Sequence, residues 1–282
     1  KDMDYLVIGG DLIDCESCSS FQMLERPTLE EELVAAHEFI HEINKIINAE
    51  IICIKGNHEE RLEREICKMQ NKGLQRLLDS QLLRMLEEGF KFNIGTKRKQ
   101  YKAIENFKYI DKWYARLFDN LVICHPKDFS NVPAKIAERS AEYFLNRGII
   151  EKDDVIFIGH THKFSQIVST RRQDVFVVEN GCNCKSMDYS DRGSLSYGNQ
   201  VNCYTIVEFE EGNKINKNDI KTYLLEFNKN LNLRSCKIDS TNPKELGKYL
   251  KDNRDYMADE KKAFYYYFKD VIDDRNHTKG NG

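Results

Sequence analysis

The strongest constraint on this chain's fold is one pattern met four times: a short, continuous apolar run that ends in polar groups. Tyr5-Leu6-Val7-Ile8 runs into Gly9-Gly10-Asp11, and Ile51-Ile52-Cys53-Ile54 precedes Gly56-Asn57-His58-Glu59. Leu121-Val122-Ile123-Cys124 runs into His125, and Val155-Ile156-Phe157-Ile158 into Gly159-His160-Thr161-His162. Runs that are apolar on both faces read as buried parallel strands, and such strands deliver polar residues to their C-terminal edge. Between the first two, Pro27 and Thr28 open a helix with Glu31 completing a capping box. Its Leu29, Leu33, Ala36, Ile40, Ile43 and Ile47 share one stripe. Strand, helix and strand make a βαβ unit, so an α/β fold with a parallel sheet core is expected.

Charged helical patterning over 60–89 and a second helical stretch over 103–118 predict a helical cap, 60–119, inserted between two active-site loops. Residues 131–147 read as a further helix. Residues 165–168, 175–178, 204–209 and 222–227 read as strands of an antiparallel second half, with a turn at Glu211-Gly212-Asn213. Beyond 228 the chain is rich in Lys, Asn and Asp, with one helix expected over 243–271. The organisation is therefore a main domain over 1–228 and a C-terminal extension over 229–282.

A chain of 282 residues can bury one large core. It contains no run of the ~20 apolar residues that a membrane span needs. A net charge of -3 lends no support to whole-protein attraction to nucleic acid or anionic lipid, so any such binding requires a local patch. Nine cysteines, with Cys53, Cys124 and Cys203 inside apolar runs, predict buried thiols in a reducing, cytoplasmic setting. The chain opens at Lys1 without a signal-type apolar segment, and loss of an upstream segment is part of the expectation.

Four of the seven histidines lie just after apolar runs, together with Asp11 and Asn57. Ligands of an open α/β sheet collect at the carboxyl ends of its strands, so these loops should converge. Imidazole, carboxylate and amide donors suit Mn, Fe or Zn better than Mg or Ca. The ordered set resembles the calcineurin-like metallophosphoesterases, whose motifs run DxH, GDxxD, GNH[DE], a lone His and GHxH. Gly10-Asp11-Leu12-Ile13-Asp14, Gly56-Asn57-His58-Glu59, His125 and Gly159-His160-Thr161-His162 match the last four, within a resemblance spanning about residues 4–210. Glu179-Asn180-Gly181-Cys182-Asn183-Cys184 and Tyr197-Gly198-Asn199-Gln200 also resemble a phage and bacterial branch.

The resemblance implies a four-layer αββα sandwich with two central sheets, two divalent transition metals with Mn foremost, and a phosphate-ester substrate. It makes Asp11 the bridging carboxylate, Asn57, His125 and His160 the other ligands of one metal, and His162 a ligand of the second. It sets His58 beside the leaving-group oxygen, as general acid or transition-state stabiliser. Glu59 is expected to orient His58, Arg61 is a candidate phosphate contact with a surface ion pair as its rival, and Asp14 reads as a loop-stabilising side chain. No DxH occurs in the sequence. One of the two metals would then keep only Asp11 and His162, so one tightly held ion is expected for this chain and two for a longer form.

Other motifs compete. His37-Glu38-Phe39-Ile40-His41 spells the helical zinc motif of metalloproteases, but both histidines lie off the apolar stripe and should face solvent. Cys15-x-x-Cys18 and Cys182-x-Cys184 together would make a four-thiolate zinc site, although nothing in the sequence brings the pairs together. Lys91, Lys97, Arg98, Lys99 and Lys102, interleaved with Phe90, Phe92 and Tyr101, suit phosphate contact plus base stacking on a single strand; a solvated loop is the alternative. The leading expectation is a phosphodiesterase or nuclease acting on nucleic acid or nucleotides by metal-activated water. Its alternatives are a phosphomonoesterase, including a protein phosphatase, and an inactive scaffold.

Overall fold

The computed structural model describes residues 3–20, 26–76, 78–94, 97–171, 174–184 and 200–225, with the backbone of 227–228 and 233–234. The helix expected over 243–271 lies outside the described residues. The elements, in chain order, begin with β1 (Tyr5–Ile8), α1 (Leu29–Asn44), β2 (Glu50–Ile54), α2 (Glu60–Lys68), α3 (Lys72–Gln75) and α4 (Arg84–Glu88). Next come β3 (Phe90–Ile94), β4 (Lys97–Tyr101), β5 (Phe107–Ile110), β6 (Tyr114–Leu117), β7 (Leu121–Cys124) and α5 (Lys135–Asn146). They continue with β8 (Val155–Ile158), β9 (Phe164–Val168), β10 (Phe176–Asn180), β11 (Cys203–Val207) and β12 (Ile220–Leu224).

The capping box that opens α1 is formed: Thr28 Oγ1 accepts from Glu31 N at 3.2 Å, and Glu31 Oε2 accepts from Thr28 N at 2.8 Å. A cap of this kind contributes about 1 kcal/mol. The four apolar runs do not share one sheet. β1 and β2 pair in parallel, with β5 parallel on the other side of β2. β7 and β8 belong to a second sheet, of order β6-β7-β8-β10-β9.

Alternation along each strand divides the core into three clusters, because successive side chains point to opposite faces. Ile52 and Ile54 of the first sheet meet Leu121, Ile123, Val155, Phe157 and Val178 of the second. Ile51 and Cys53 face the opposite way, onto Leu33, Ala36, Ile40 and Ile43 of α1. Val122, Cys124, Ile156 and Ile158 likewise turn from the first sheet onto Ile136, Ala137, Ala141 and Phe144 of α5. This mixed α/β sandwich puts the ends of β1, β2, β7 and β8 on one edge.

Two expectations change here. Residues 103–118 are not helical: they hold β5 and β6, and the two strands join different sheets. Phe107 and Tyr109 pack into the α1-side cluster while Ile110 packs between the sheets. Trp113 and Tyr114 lie against Phe144, with ring centroids 5.5 and 5.2 Å apart. Strand pairing and aromatic packing thus override a helical reading of the local pattern. The second half is also not wholly antiparallel, since β10 pairs in parallel with β8 and antiparallel with β9.

The basic and aromatic segment is the β3–β4 hairpin, and two of its aromatics, Phe90 and Tyr101, are not free to stack on bases, while Phe92 is half-buried against the same core. Phe90 and Tyr101 are each 5% exposed, stacked at 4.6 Å and packed into the α1-side core. Lys91, Arg98 and Lys99 are exposed. His41 faces solvent as expected, but His37 does not: its Nε2 donates to the Lys102 carbonyl at 2.8 Å, and its ring lies 5.6 Å from Phe90 and 5.3 Å from Tyr101. The HExxH residues therefore support the hairpin, and no third metal donor joins them among the described residues.

Candidate active site

Tight loops at the sheet edge aim the polar groups inward. Gly56 is obligatory by close approach, because a Cβ there would fall far inside contact with Asp11 Oδ1 and the Asp11 backbone nitrogen, and 2.7 Å from Glu59 Oε2. Asp11, His160 and His162 hold left-handed φ angles of 55°, 74° and 55°. That conformation costs a residue with a Cβ about 1–2 kcal/mol, and it persists only where the surroundings enforce it.

Asp11, His125 and His160 offer ligand atoms that all lie within 4.8 Å of one another. Asn57 Oδ1 lies 3.0 Å from His125 Nε2 and 2.6 Å from His160 Nδ1. His125 Nδ1 donates to the Gly9 carbonyl at 2.6 Å. Its Nε2 therefore faces two oxygens, Asp11 Oδ2 and Asn57 Oδ1, each at 3.0 Å. A neutral ring would point a lone pair at both acceptors, so the position calls for a proton or a metal cation. The donor set of one carboxylate, one amide oxygen and two imidazoles fits a divalent transition metal.

The titration shifts express the same demand. Burial opposes ionisation of Asp11, but the neighbouring His125 and then His58 hold its carboxyl far below the usual range. Burial likewise opposes a charged His125, yet Asp11 outweighs it and pushes the ring up to about 9. Burial, followed by the charge of His125, takes His160 down to about 4. Burial also lowers His162.

His58 is 9% exposed. Its backbone N–H donates to Asp11 Oδ1 at 2.9 Å, its Nδ1 donates to Asp14 Oδ1 at 2.9 Å, and its Nε2 lies 3.8 Å from Asp11 Oδ2. Burial disfavours the charged ring, but the Asp14 hydrogen bond and the Asp11 charge prevail and raise its pKa. Asp14, expected only to stabilise its loop, is thus the group that orients His58.

Glu59 was expected to hold His58 and instead clamps two loops together. Its carboxylate accepts from the backbone N–H groups of Leu12 at 2.7 Å, Gly56 at 2.9 Å, Asp11 at 3.1 Å and Ile13 at 3.3 Å. Burial and then the Asp11 charge push it up to about 7, against N–H donors that favour the ionised form. Arg61 is not at the surface: its Nη1 lies 3.8 Å from Glu16 Oε1 in a largely buried ion pair. It is 8% exposed, and its Nη1 donates to the Asp14 carbonyl at 2.7 Å, behind the loop that carries Asp11.

The cysteine pairs do not combine. Cys15 is buried in the α1-side core with Cys18 packed against it, and neither joins a metal-type cluster among the described residues. Cys182 and Cys184 gather at His162 instead, their ligand atoms within 4.8 Å of one another. Both cysteines follow the end of β10, so their place at a strand end is a signal the sequence carries.

A mixed α/β sandwich with imidazole, carboxylate and amide donors converging at strand ends is the design of a metal-dependent phosphoesterase. The family model for calcineurin-like phosphoesterases matches residues 1–164, and the chain belongs to that family. It is accordingly a phosphoric ester hydrolase whose family uses divalent metal ions. No curated protein and no solved structure matches the chain significantly. Among the described residues, no helix is long and apolar enough to cross a membrane.

Proposed function

We propose that this chain is a phosphodiesterase of nucleotide or nucleic-acid esters, working with Mn at the Asp11, Asn57, His125 and His160 cluster. The observation that carries this reading is the placement of His58, with Nδ1 fixed by Asp14 and Nε2 aimed at the oxygen of Asp11 that His125 also faces. A divalent ion held by those four ligands would polarise a phosphoryl oxygen and lower the pKa of a water for in-line attack. His58 Nε2 passes its proton to the leaving-group oxygen, while Asp14 keeps the other ring nitrogen protonated and the ring in place. Asp11 serves twice, as a metal ligand through its carboxylate and as the acceptor that fixes the His58 backbone.

Arg61 donates to the Asp14 carbonyl, and the His58 ring beside Asp11 can meet a phosphate oxygen. The exposed Lys91, Arg98 and Lys99 offer contacts to backbone phosphates, without stacking from the buried aromatics. The three core clusters support a four-layer α/β/β/α count, and the thiol state of the eight described cysteines fits a reducing, cytoplasmic setting.

The test is hydrolysis of single-stranded DNA, a cyclic nucleotide, bis-p-nitrophenyl phosphate and p-nitrophenyl phosphate after chelation and Mn addition. Diester turnover that chelator abolishes and Mn restores is expected, with loss in Asp11→Asn. Turnover of p-nitrophenyl phosphate alone would favour the monoesterase, and a silent panel the inactive scaffold. Full activity in Asp11→Asn would sink the site assignment.

A further inference from the structure

His162 lies in the loop after β8, and Cys182 and Cys184 follow β10 by two and four residues. β8 and β10 pair in parallel with Ile158 opposite Glu179, so their C-terminal loops leave the same edge side by side. That pairing sets one imidazole and two thiols within 4.8 Å of one another. Cys182 and Cys184 lie beyond residues 1–164, which the family model matches.

The loop is braced as a unit. The Val201 backbone N–H donates to the His162 carbonyl at 2.8 Å, and the Cys182 N–H donates to the Val201 carbonyl at 2.9 Å. One short segment therefore ties both halves of the cluster. Asn202 Nδ2 donates to the Cys184 carbonyl at 2.6 Å and lies 3.7 Å from Cys182 Sγ. The Gln200 side-chain amide lies 2.8 Å from His162 Nδ1 and 3.7 Å from Cys184 Sγ. Gly181 makes the turn with a φ of 57°, and a Cβ there would sit 2.6 Å from Cys203 Sγ.

We propose that His162, Cys182 and Cys184 form a sulfur-rich site for one soft divalent ion, Zn²⁺ by the chemistry of its donors. Thiolate with imidazole selects zinc over the harder ions that an oxygen-rich set prefers. Around a tetrahedral zinc, bonds of about 2.3 Å to sulfur and 2.0–2.1 Å to nitrogen put the donors about 3.5–3.8 Å apart. The cluster needs to close by only about an ångström. Each thiol releases its proton to solvent as its sulfur–metal bond forms, leaving two thiolates, a neutral imidazole and the dication with no net charge. Three protein ligands leave one position open, as catalytic zinc sites do. His162 is also the donor that the motif resemblance gives to the second metal, so Cys182 and Cys184 would add sulfur at that position, and the proposal holds whichever ester the neighbouring site cleaves.

Co²⁺ titration of the reduced, metal-free full chain tests this directly. A near-ultraviolet thiolate-to-cobalt charge-transfer band should saturate at one equivalent, and the double variant Cys182→Ser, Cys184→Ser should lose the band and one metal equivalent. Asn57→Ala should weaken the other site and leave the band intact, so failure here is distinct from failure of the phosphodiesterase reading. In the unmutated protein, Zn²⁺ should slow alkylation of Cys182 and Cys184, mapped by mass spectrometry, by at least about tenfold. This arm does not depend on the variants folding. Absence of the band, its survival in the double variant, or unchanged alkylation of both cysteines with Zn²⁺ would each overturn the proposal.

Discussion

Replacing Gly56 by Ala adds one methyl group at the point where the loops after β1 and β2 touch. The new Cβ would fall far inside contact with the Asp11 backbone nitrogen, which unlike a side-chain tip cannot swing away. Restoring an ordinary separation of about 3.5 Å requires the loops to part by more than about 1 Å. Overpacking of this kind costs about 1–3 kcal/mol. The same movement stretches two bonds that cross between the loops, Leu12 N to Glu59 at 2.7 Å and His58 N to Asp11 at 2.9 Å. Each lost charge-assisted bond adds about 1.5–3 kcal/mol. The expected loss is therefore about 4 kcal/mol or more, a large part of a typical stability of about 5–15 kcal/mol. Misplacing the reacting groups by about 1 Å should also lower turnover about 100-fold in molecules that remain folded. Gly73→Ala is the control: it lies in α3, has only Asn71 Oδ1 at 3.3 Å, and keeps an ordinary φ. Urea unfolding and Mn titration of both variants decide the matter. A Gly56→Ala protein within about 1 kcal/mol of the parent, with unchanged metal affinity, would refute the loop-contact account.

Three further outcomes are expected. His125 is raised to about 9 in the metal-free fold from an ordinary 6.5, so its stabilising contribution is full below pH 6.5 and is lost as pH rises through about 9. A metal must displace that proton, so between pH 6.5 and 9 binding at this site should release about one proton and tighten about tenfold per pH unit. Calorimetry in buffers of different ionisation enthalpy measures the release, and none at pH 7.5 would count against the ligand set. His58→Ala should keep its Mn and lose about 10²–10⁴ in turnover. Asp14→Asn, by weakening support for the protonated ring, should move the alkaline limb of the pH–rate profile to lower pH; an unshifted limb would make Asp14 merely structural.

Locally encoded features were legible in the sequence. The strand ends presenting Asp11, Asn57, His125 and His160, the Thr28 capping box and the apolar stripe of α1 each depend on neighbouring residues, so their meaning survives without a fold. The donor chemistry followed from residue type alone. Strand pairing overrode local patterning at 103–118, where β5 found β2 and β6 found β7. Which acidic side chain served which partner was likewise a tertiary matter: Glu59 adjoins His58 in its motif and Asp14 lies in another, yet the crossing of the two loops put Asp14 on the ring and Glu59 on four backbone N–H groups. The meeting of His162 with Cys182 and Cys184 depends on β8 and β10 pairing in parallel. Residues 20 and 22 positions apart become neighbours only once strand order is set, and strand order is decided by the burial of whole faces rather than by any short run of residues.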